Sequence, residues 1–324
     1  MSEYSVLPIV FCFNDCIVFL LQRSLLTKMG IFIVIQINHL LGKRKHKDES
    51  IMAYEITFQD TVEIQKLFSH HNWRVDTTNK SSLYNRYLHT YARLESDERE
   101  LFISLSYQFK VITLNDYQEL LANVISCVIK KYLGKKQTLF IYPIKKCSHK
   151  DCIKSSDLVS YLCKSTSLKY NDSISKKKII LLGSTEQVKE KIQQISNNAL
   201  LIVDDFIGSG KYTSDVIREL ALIGIPKDRI IATTLYITQA GIKKLRQEQC
   251  QLEYGEIIES FISELSAADK EVLSRIEEKM GVEDGFSFGY GHSGILVSLI
   301  RTPNNTAPIF WMPFGRYSAP PFPR

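Results

Sequence analysis

The chain has 324 residues, 44% of them hydrophobic and 23% charged, with a formal net charge of +6 and a sequence pI near 8.8. That length accommodates one large domain or two smaller ones, and the composition is that of an ordinary globular chain with ample material for a core. The seven cysteines (Cys12, Cys16, Cys127, Cys147, Cys152, Cys163 and Cys250) are odd in number and irregularly spaced, which argues against a disulfide framework and for a reducing, cytoplasmic setting. The mild positive charge suits an anionic ligand but does not by itself point to nucleic acid.

In chain order, the first feature is an apolar stretch over residues 5–42, followed by the basic run Lys43-Arg44-Lys45-His46-Lys47. A spanning helix wants about 20 nearly uninterrupted apolar residues, and Asn14 and Asp15 break the first run while Ile31 to Leu41 is too short. Three readings stand: a weak membrane anchor, a packed accessory hairpin, or a start placed too far upstream of a working protein that begins near Met52. The abrupt change of character at Met52 favours the last and argues against a membrane role unless residues 5–42 are a real anchor.

Residues 52–135 read as helical. Thr61 to Phe68 spaces its apolar residues at three and four, and Leu120, Leu121, Val124, Ile125, Val128 and Ile129 form a wide stripe on a helix from Tyr117 to Leu133. Asn115 is the expected N-cap of that helix and Gly134 its stop. Between these helices, residues 70–94 interleave His, Arg, Tyr and Trp. Such a pattern can stack bases, and it can equally be an amphipathic helix whose aromatic side is packed. The second reading is preferred, which leaves nucleic acid a weak candidate partner.

From residue 136 the period changes. Leu139–Tyr142, Lys178–Leu182, Ala199–Val203 and Arg229–Ile237 read as strands. They alternate with expected helices at Ser156–Lys164, Glu186–Ile195, Thr213–Ile223 and Ala240–Glu248. Alternation of this kind predicts an α/β fold with a mostly parallel central sheet over 136–324, behind a helical region at 52–135 and an N-terminal extension at 1–51. A further helix, Ala267–Met280 capped by Ser266, a late strand at Gly294–Leu299 and an ordered tail complete the chain. Cys147, His149 and Cys152 lie close together but lack a second ligand pair at zinc-site spacing, so no metal is expected there.

The run Ala199 to Thr213 carries the chemistry. An apolar strand meets Asp204 and Asp205, then Phe206-Ile207, then Gly208-Ser209-Gly210-Lys211-Tyr212-Thr213 at the start of a helix. Backbone N–H groups of such a loop and the helix N-terminus favour a phosphate. Ser209 and Thr213 add hydroxyls and Lys211 adds charge. Two acids ahead of a phosphate loop make sense if they hold ribose hydroxyls or Mg²⁺ while the loop holds the phosphate. A P-loop is excluded because its first glycine would fall on Asp205, and the dinucleotide fingerprint because its third glycine would fall on Thr213.

This run resembles the phosphoribosyl-pyrophosphate motif of type I phosphoribosyltransferases. The resemblance implies that Asp204 and Asp205 bind the ribose 2′- and 3′-hydroxyls, directly or through Mg²⁺, and that Gly208 to Thr213 hold the 5′-phosphate. It further implies a pyrophosphate loop at Pro143–Ser156, where Lys145, Lys146, Lys150 and Lys154 stand, though without the family's Gly-containing turn. A solvated lysine loop fits the same residues equally well. Gly208 replaces the acid that purine-salvage members place beside the base, and Tyr212 stands where a small hydroxyl residue is common. Phe288-Gly-Tyr-Gly291 and the stretch Thr302 to Trp311 are similar to the end of phosphoribosyltransferase-like proteins of prokaryotic conflict (anti-phage) gene clusters. That likeness covers roughly residues 55–312 and implies that Asn304, Asn305 and Trp311 sit over the carboxyl edge of the sheet, with Trp311 closing the core rather than stacking on a base. The expected function is Mg²⁺-dependent phosphoribosyl transfer or pyrophosphate release. The alternative is an inactive nucleotide sensor or effector that works with partner proteins of a defence system.

Overall fold

The computed structural model describes residues 54–133, 138–146, 148, 152–196, 198–315 and 319–324. The apolar extension, its basic run, the helix stop expected at Gly134, and Cys147, His149 and Lys150 lie outside the described residues. Among those described, no helix is long and apolar enough to cross a membrane. Contacts divide the chain into two compact units between Arg99 and Glu100.

In the first unit, α1 (Phe58–His70) and α2 (Leu83–Tyr91) are each closed by a hydroxyl N-cap, Thr57 and Ser82. Thr57 and Asp60 form a reciprocal capping box that satisfies two otherwise orphan N–H groups. Phe68 is the hub, meeting Trp73, Tyr84 and Tyr87 edge to face at 5.1–5.5 Å. Tyr84, Tyr87 and Tyr91 are at most 2% exposed, so the aromatic side of the 70–94 segment is packed, as preferred above. Arg93 donates to the carbonyl of His89, and Arg86 to that of Ser81.

α3 (Ser96–Gln108) leads to the short strand β1 (Lys110–Val111) and then to α4 (Leu114–Val128), which ends in a wider π turn, Ile129–Leu133. The N-cap is Thr113 rather than Asn115. Its hydroxyl accepts from the Asp116 N–H while the Asp116 carboxylate accepts from the Thr113 N–H at 2.7 Å, a closed box that Asn115 cannot make from inside the helix.

The main sheet has five parallel strands in the order β3-β2-β4-β5-β6: β2 (Thr138–Pro143), β3 (Lys178–Leu181), β4 (Ala199–Ile207), β5 (Ile230–Ile237) and β6 (Gln251–Ile257). One face is covered by α4, by α5 (Ser155–Leu162) and by the turn α6 (Thr166–Lys169), packed on Leu139, Ile141, Leu201 and Val203. The other is covered by α7 (Thr185–Glu190), α8 (Ile192–Ser196), α9 (Lys211–Leu222) and α10 (Gln239–Gln247), packed on Phe140, Leu200, Ile202 and Ala232. The chain moves from β2 outward to β3, then crosses back over β2 to β4 and continues the other way. The carboxyl ends of β2 and β4 therefore flank the point where winding reverses, the place where open α/β sheets bind ligands.

Several boundaries differ from those expected. The single helix expected at Glu186–Ile195 is two, α7 and α8, interrupted at Lys191. β4 runs four residues past Val203, because Phe206 and Ile207 continue the ladder opposite Tyr236 and Ile237. The two acids thus sit inside the strand, with their carboxyl groups close together. β6 has no counterpart in the expected elements. The late strand shrinks to β7 (Val297–Ser298), which pairs with β1 in a separate two-stranded sheet. α11 (Ala267–Met280) is capped by Ser266 as expected, and a last helical turn, α12 (Pro308–Trp311), lies in the tail.

α9 and α10 are clamped by Glu248, which pairs with Arg218 and Lys244 at 2.6 Å and accepts from the Ser214 hydroxyl. Hydrogen bonds from Lys244 and Ser214 pull its carboxyl down to about 2 from an ordinary 4.5. The stabilisation is therefore complete above about pH 4.5 and is lost as pH falls toward 2. Glu248→Gln is expected to cost about 1 kcal/mol at pH 7 after solvent screening. The gap between the melting curves of the two chains should narrow as the pH is lowered from 4.5 toward 2, and a constant gap would refute the clamp.

Candidate functional site

β4 is apolar up to Val203, buried from both faces, and then delivers Asp204 and Asp205 just beyond the end of β2, whose Pro143 pairs with Val203. Gly208 to Gly210 turn the chain into α9. Gly210 is the N-cap at φ 72°, and no side chain caps the helix. The first N–H groups of α9 are thus left to an incoming anion, with the helix dipole behind them. A left-handed cap is cheap only for glycine. The loop is braced from below, because the Thr238 hydroxyl donates to the Gly208 carbonyl at 2.9 Å and the Thr238 N–H to that of Ile207 at 3.1 Å.

A cleft of about 430 Å³ opens over this edge, in the range of small-ligand sites. Its floor is Asp204 to Gly210, with Tyr212 and Thr213 at the helix start. One wall is Ile144, Lys154 and Ser155, and the other is Tyr290, Arg301 to Asn305, and Arg324.

The two acids have different surroundings. Asp204 accepts from the Asp205 N–H at 2.9 Å and from the Ser155 hydroxyl at 3.3 Å. Burial, with the neighbouring charge of Asp205 added, pushes its carboxyl well above the ordinary carboxylate range. Asp205 is 4% exposed and accepts from the Tyr117 hydroxyl at 2.9 Å. Burial and then the Asp205 charge raise the Tyr117 phenol well above its ordinary value, so it stays protonated as the donor. Among the described residues no cation forms an ion pair with either acid, and no set of three or more His, Cys, Asp or Glu side chains could hold a metal alone.

The lysine loop divides. Lys145 is buried and pairs with Asp157 at 3.1 Å, and Lys146 pairs with Asp215 at 2.7 Å. Neither side chain lines the cleft, whereas Lys154 does. Tyr212, in place of a small hydroxyl residue, ties this loop to the start of α9. Its hydroxyl accepts from the Lys146 N–H at 3.1 Å and from the Lys154 ammonium, which also lies 4.1 Å from the ring centroid. Ser209 and Lys211 stand in the loop as expected, the Ser209 hydroxyl facing the Lys211 N–H at 3.5 Å, and Thr213 is buried in the first turn of α9.

Gly208 has a steric reason. A Cβ there would lie 2.8–3.0 Å from the carboxamide of Asn305. That carboxamide is fixed, since its Nδ2 donates to the Tyr290 carbonyl at 3.2 Å and to Ser293 Oγ at 3.0 Å. Asn305 thus occupies the room that an acidic side chain at position 208 would need. Trp311 donates from its ring N–H to the Thr306 carbonyl at 2.7 Å and is half-buried against Phe286, outside the cleft lining, which suits closing the core.

The residues missed in the sequence are Tyr117, Tyr290, Arg301 and Arg324. Arg324 and Arg301 face the same cleft and neither forms an ion pair with a described residue. Burial and the Arg301 charge lower the pKa of Arg324. Both are exposed, and their positive charge on this wall suits an anionic group.

No curated protein matches the sequence. The family model described as PRTase-CE matches residues 84–324, which take in the sheet, the Gly208–Thr213 segment and every wall of the cleft. The chain belongs to this phosphoribosyltransferase-like family.

Proposed function

We propose that the cleft binds phosphoribosyl pyrophosphate or a related ribose-5-phosphate nucleotide, and that the chain is a Mg²⁺-assisted phosphoribosyl-transferring or pyrophosphate-releasing protein. The observation that carries this reading is the placement of Asp204 and Asp205 immediately ahead of an uncapped helix N-terminus, at the winding reversal of a parallel sheet. The amides of Gly208 to Thr213 would hold the 5′-phosphate. Asp204 and Asp205 would accept from the ribose hydroxyls and offset positive charge developing on the ribose as the C1 bond breaks. Lys154, Arg301 and Arg324 would face the second anionic group of the ligand.

The donor set fits Mg²⁺. Asp204 is a part-buried carboxyl group on the cleft floor with no ion-pair partner among the described residues, and Asp205 stands beside it. Two protein carboxylates suit an ion that keeps several waters and takes its remaining ligands from phosphate oxygens. When bound, the ion would neutralise charge on the departing diphosphate.

A second reading, a nucleotide sensor working with partner proteins of a defence system, is favoured by one observation. Asn305 stands where an acid would exchange a proton with a base, and an amide cannot do so. Calorimetry with phosphoribosyl pyrophosphate, ribose 5-phosphate and 5′-nucleotides, run beside a pyrophosphate-release assay, separates the two readings. Binding with release supports the transferase, and binding without release to any base supports the sensor. Binding of none of them refutes the shared site. Lys154→Ala should weaken the Mg²⁺–phosphoribosyl pyrophosphate complex about tenfold, and unchanged affinity would remove Lys154 from the anion wall.

A further inference from the structure

Asp205 is an almost fully buried carboxylate at the floor of the cleft. A buried charge persists only where donors hold it. Its donor comes from a helix that precedes the whole sheet. Tyr117, in the first turn of α4, is 0% exposed and donates to Asp205 Oδ2 at 2.9 Å. The same phenol oxygen accepts from the Ile300 N–H at 3.4 Å, a long contact, and the next residue, Arg301, lines the cleft. One hydroxyl therefore joins the helix, the acid and the segment that carries an arginine of the opposite wall. The ring itself belongs to the core beneath the sheet, and the Thr113–Asp116 capping box sets the turn from which it projects.

We propose that Tyr117 is a positioning residue of the site: it holds one oxygen of Asp205, turns the other toward the ligand, and sets Arg301 across from it. The inference rests on the ribose-phosphate reading of the cleft. It makes α4 part of the binding machinery rather than an accessory to it. Tyr132, on the π turn at the other end of α4, provides an internal comparison. Its hydroxyl donates to Glu253 at 2.9 Å, also a phenol–carboxylate bond, but away from the cleft.

The test is calorimetry of the full chain with phosphoribosyl pyrophosphate and Mg²⁺, comparing Tyr117→Phe, Tyr132→Phe, Asp205→Asn and the Tyr117→Phe/Asp205→Asn pair. Melting curves confirm that each variant is folded. Tyr117→Phe should weaken binding about 10- to 100-fold, as expected for losing a hydrogen bond to a charged group, and Tyr132→Phe should leave it unchanged. The Tyr117 and Asp205 effects should be strongly non-additive, because Tyr117 acts through the Asp205 carboxylate that Asp205→Asn removes. Should Tyr117→Phe fail to fold, Tyr117→Leu, which also lacks the hydroxyl donor, carries the same comparison. Wild-type affinity in the Tyr117 variant, an equal loss in Tyr132→Phe, or full additivity with Asp205→Asn would each overturn the positioning role while leaving the ribose-phosphate reading intact. A wild-type chain that binds none of the ribose-phosphate probes would overturn both.

Discussion

Replacing Asp204 and Asp205 together by asparagine is expected to weaken binding of phosphoribosyl pyrophosphate with Mg²⁺ by about 100-fold or more, in a chain that melts no lower than wild type. The loss follows from removing both acceptors for ribose hydroxyls and both carboxylates available to the ion. The retained stability follows from the cost of keeping Asp204 charged. Its carboxyl titrates well above the ordinary carboxylate range because it is buried beside Asp205. The folded chain therefore holds that proton more tightly than the unfolded chain. Stability falls as pH rises from the ordinary range through the raised pKa. Asparagine carries no such penalty, so the single variant Asp204→Asn should melt above wild type at pH 7 in the presence of a chelator, and the difference should vanish near pH 4. Tyr117 retains an acceptor when Asp205 becomes asparagine, so that change should not undo the gain. Thermal melts across pH, with calorimetry at pH 7, check both halves. An Asp204→Asn chain that melts lower at pH 7 would show that the carboxylate is a structural support instead of a site held at a cost.

The second large effect is expected at Gly289. It lies at φ 90°, and a Cβ there would fall 2.0 Å from the Asn305 carbonyl oxygen and 2.7 Å from its carbon. Both are backbone atoms, so no rotamer change relieves the clash. The surrounding turn is tightly tied. Glu277 accepts from the Phe288 N–H and the Ser287 hydroxyl, each at 2.9 Å, and the Tyr290 N–H donates to the Asn304 carbonyl at 2.8 Å. Gly289→Ala should therefore cost about 3 kcal/mol or more and lower the melting temperature by roughly 5–10 °C. Gly291 is the control, since it also has a positive φ, 64°, but nothing within 4 Å of an added Cβ. Gly291→Ala should cost only about 1 kcal/mol. Ligand affinity should fall with Gly289→Ala as well, because Tyr290 and Asn305 both line the cleft. Equal melting of the two alanine variants would contradict the close approach of the two segments.

Much of the sheet was legible because its interior strands are unbroken apolar runs. β2, β4 and β5 are buried on both faces, and their sequences say so. β6 was not legible. Gln251-Leu-Glu-Tyr-Gly-Glu-Ile is a half-buried edge strand whose Glu253 serves Lys131 and Tyr132 of the π turn, so polar residues interrupt the pattern. The end of β4 was misplaced for a related reason. Hydrophobicity stops at Val203, but the ladder continues through Phe206 and Ile207. The boundary of α4 was set by reciprocal hydrogen bonds between Thr113 and Asp116, which a ranking of single N-cap residues does not weigh.

The strand–loop–helix that floors the cleft was legible because its parts are contiguous from Ala199 to Thr213. The walls of the cleft were not, because they arrive from distant segments. Tyr117 meets Asp205 across 88 residues, and Arg301, Arg324 and Tyr290 follow no local period. The substitution of Gly208 for an acid was visible in the sequence, but its cause, the fixed carboxamide of Asn305, needed the fold. The lysine loop shows the converse. Its charge was visible, while the pairing of Lys145 with Asp157 and of Lys146 with Asp215 depends on the packing of α5 and α9.

The central claim is that Asp204, Asp205 and the loop Gly208 to Thr213 form one ribose-5-phosphate cradle. Its most direct test is a crystal structure of the chain with phosphoribosyl pyrophosphate and Mg²⁺. The account predicts the 5′-phosphate on the amides at the start of α9, the ribose hydroxyls or the ion on Asp204 and Asp205, and the second anionic group toward Lys154, Arg301 and Arg324. Ligand density elsewhere on the chain, or a phosphate in this cleft with the ribose turned away from both acids, would contradict it.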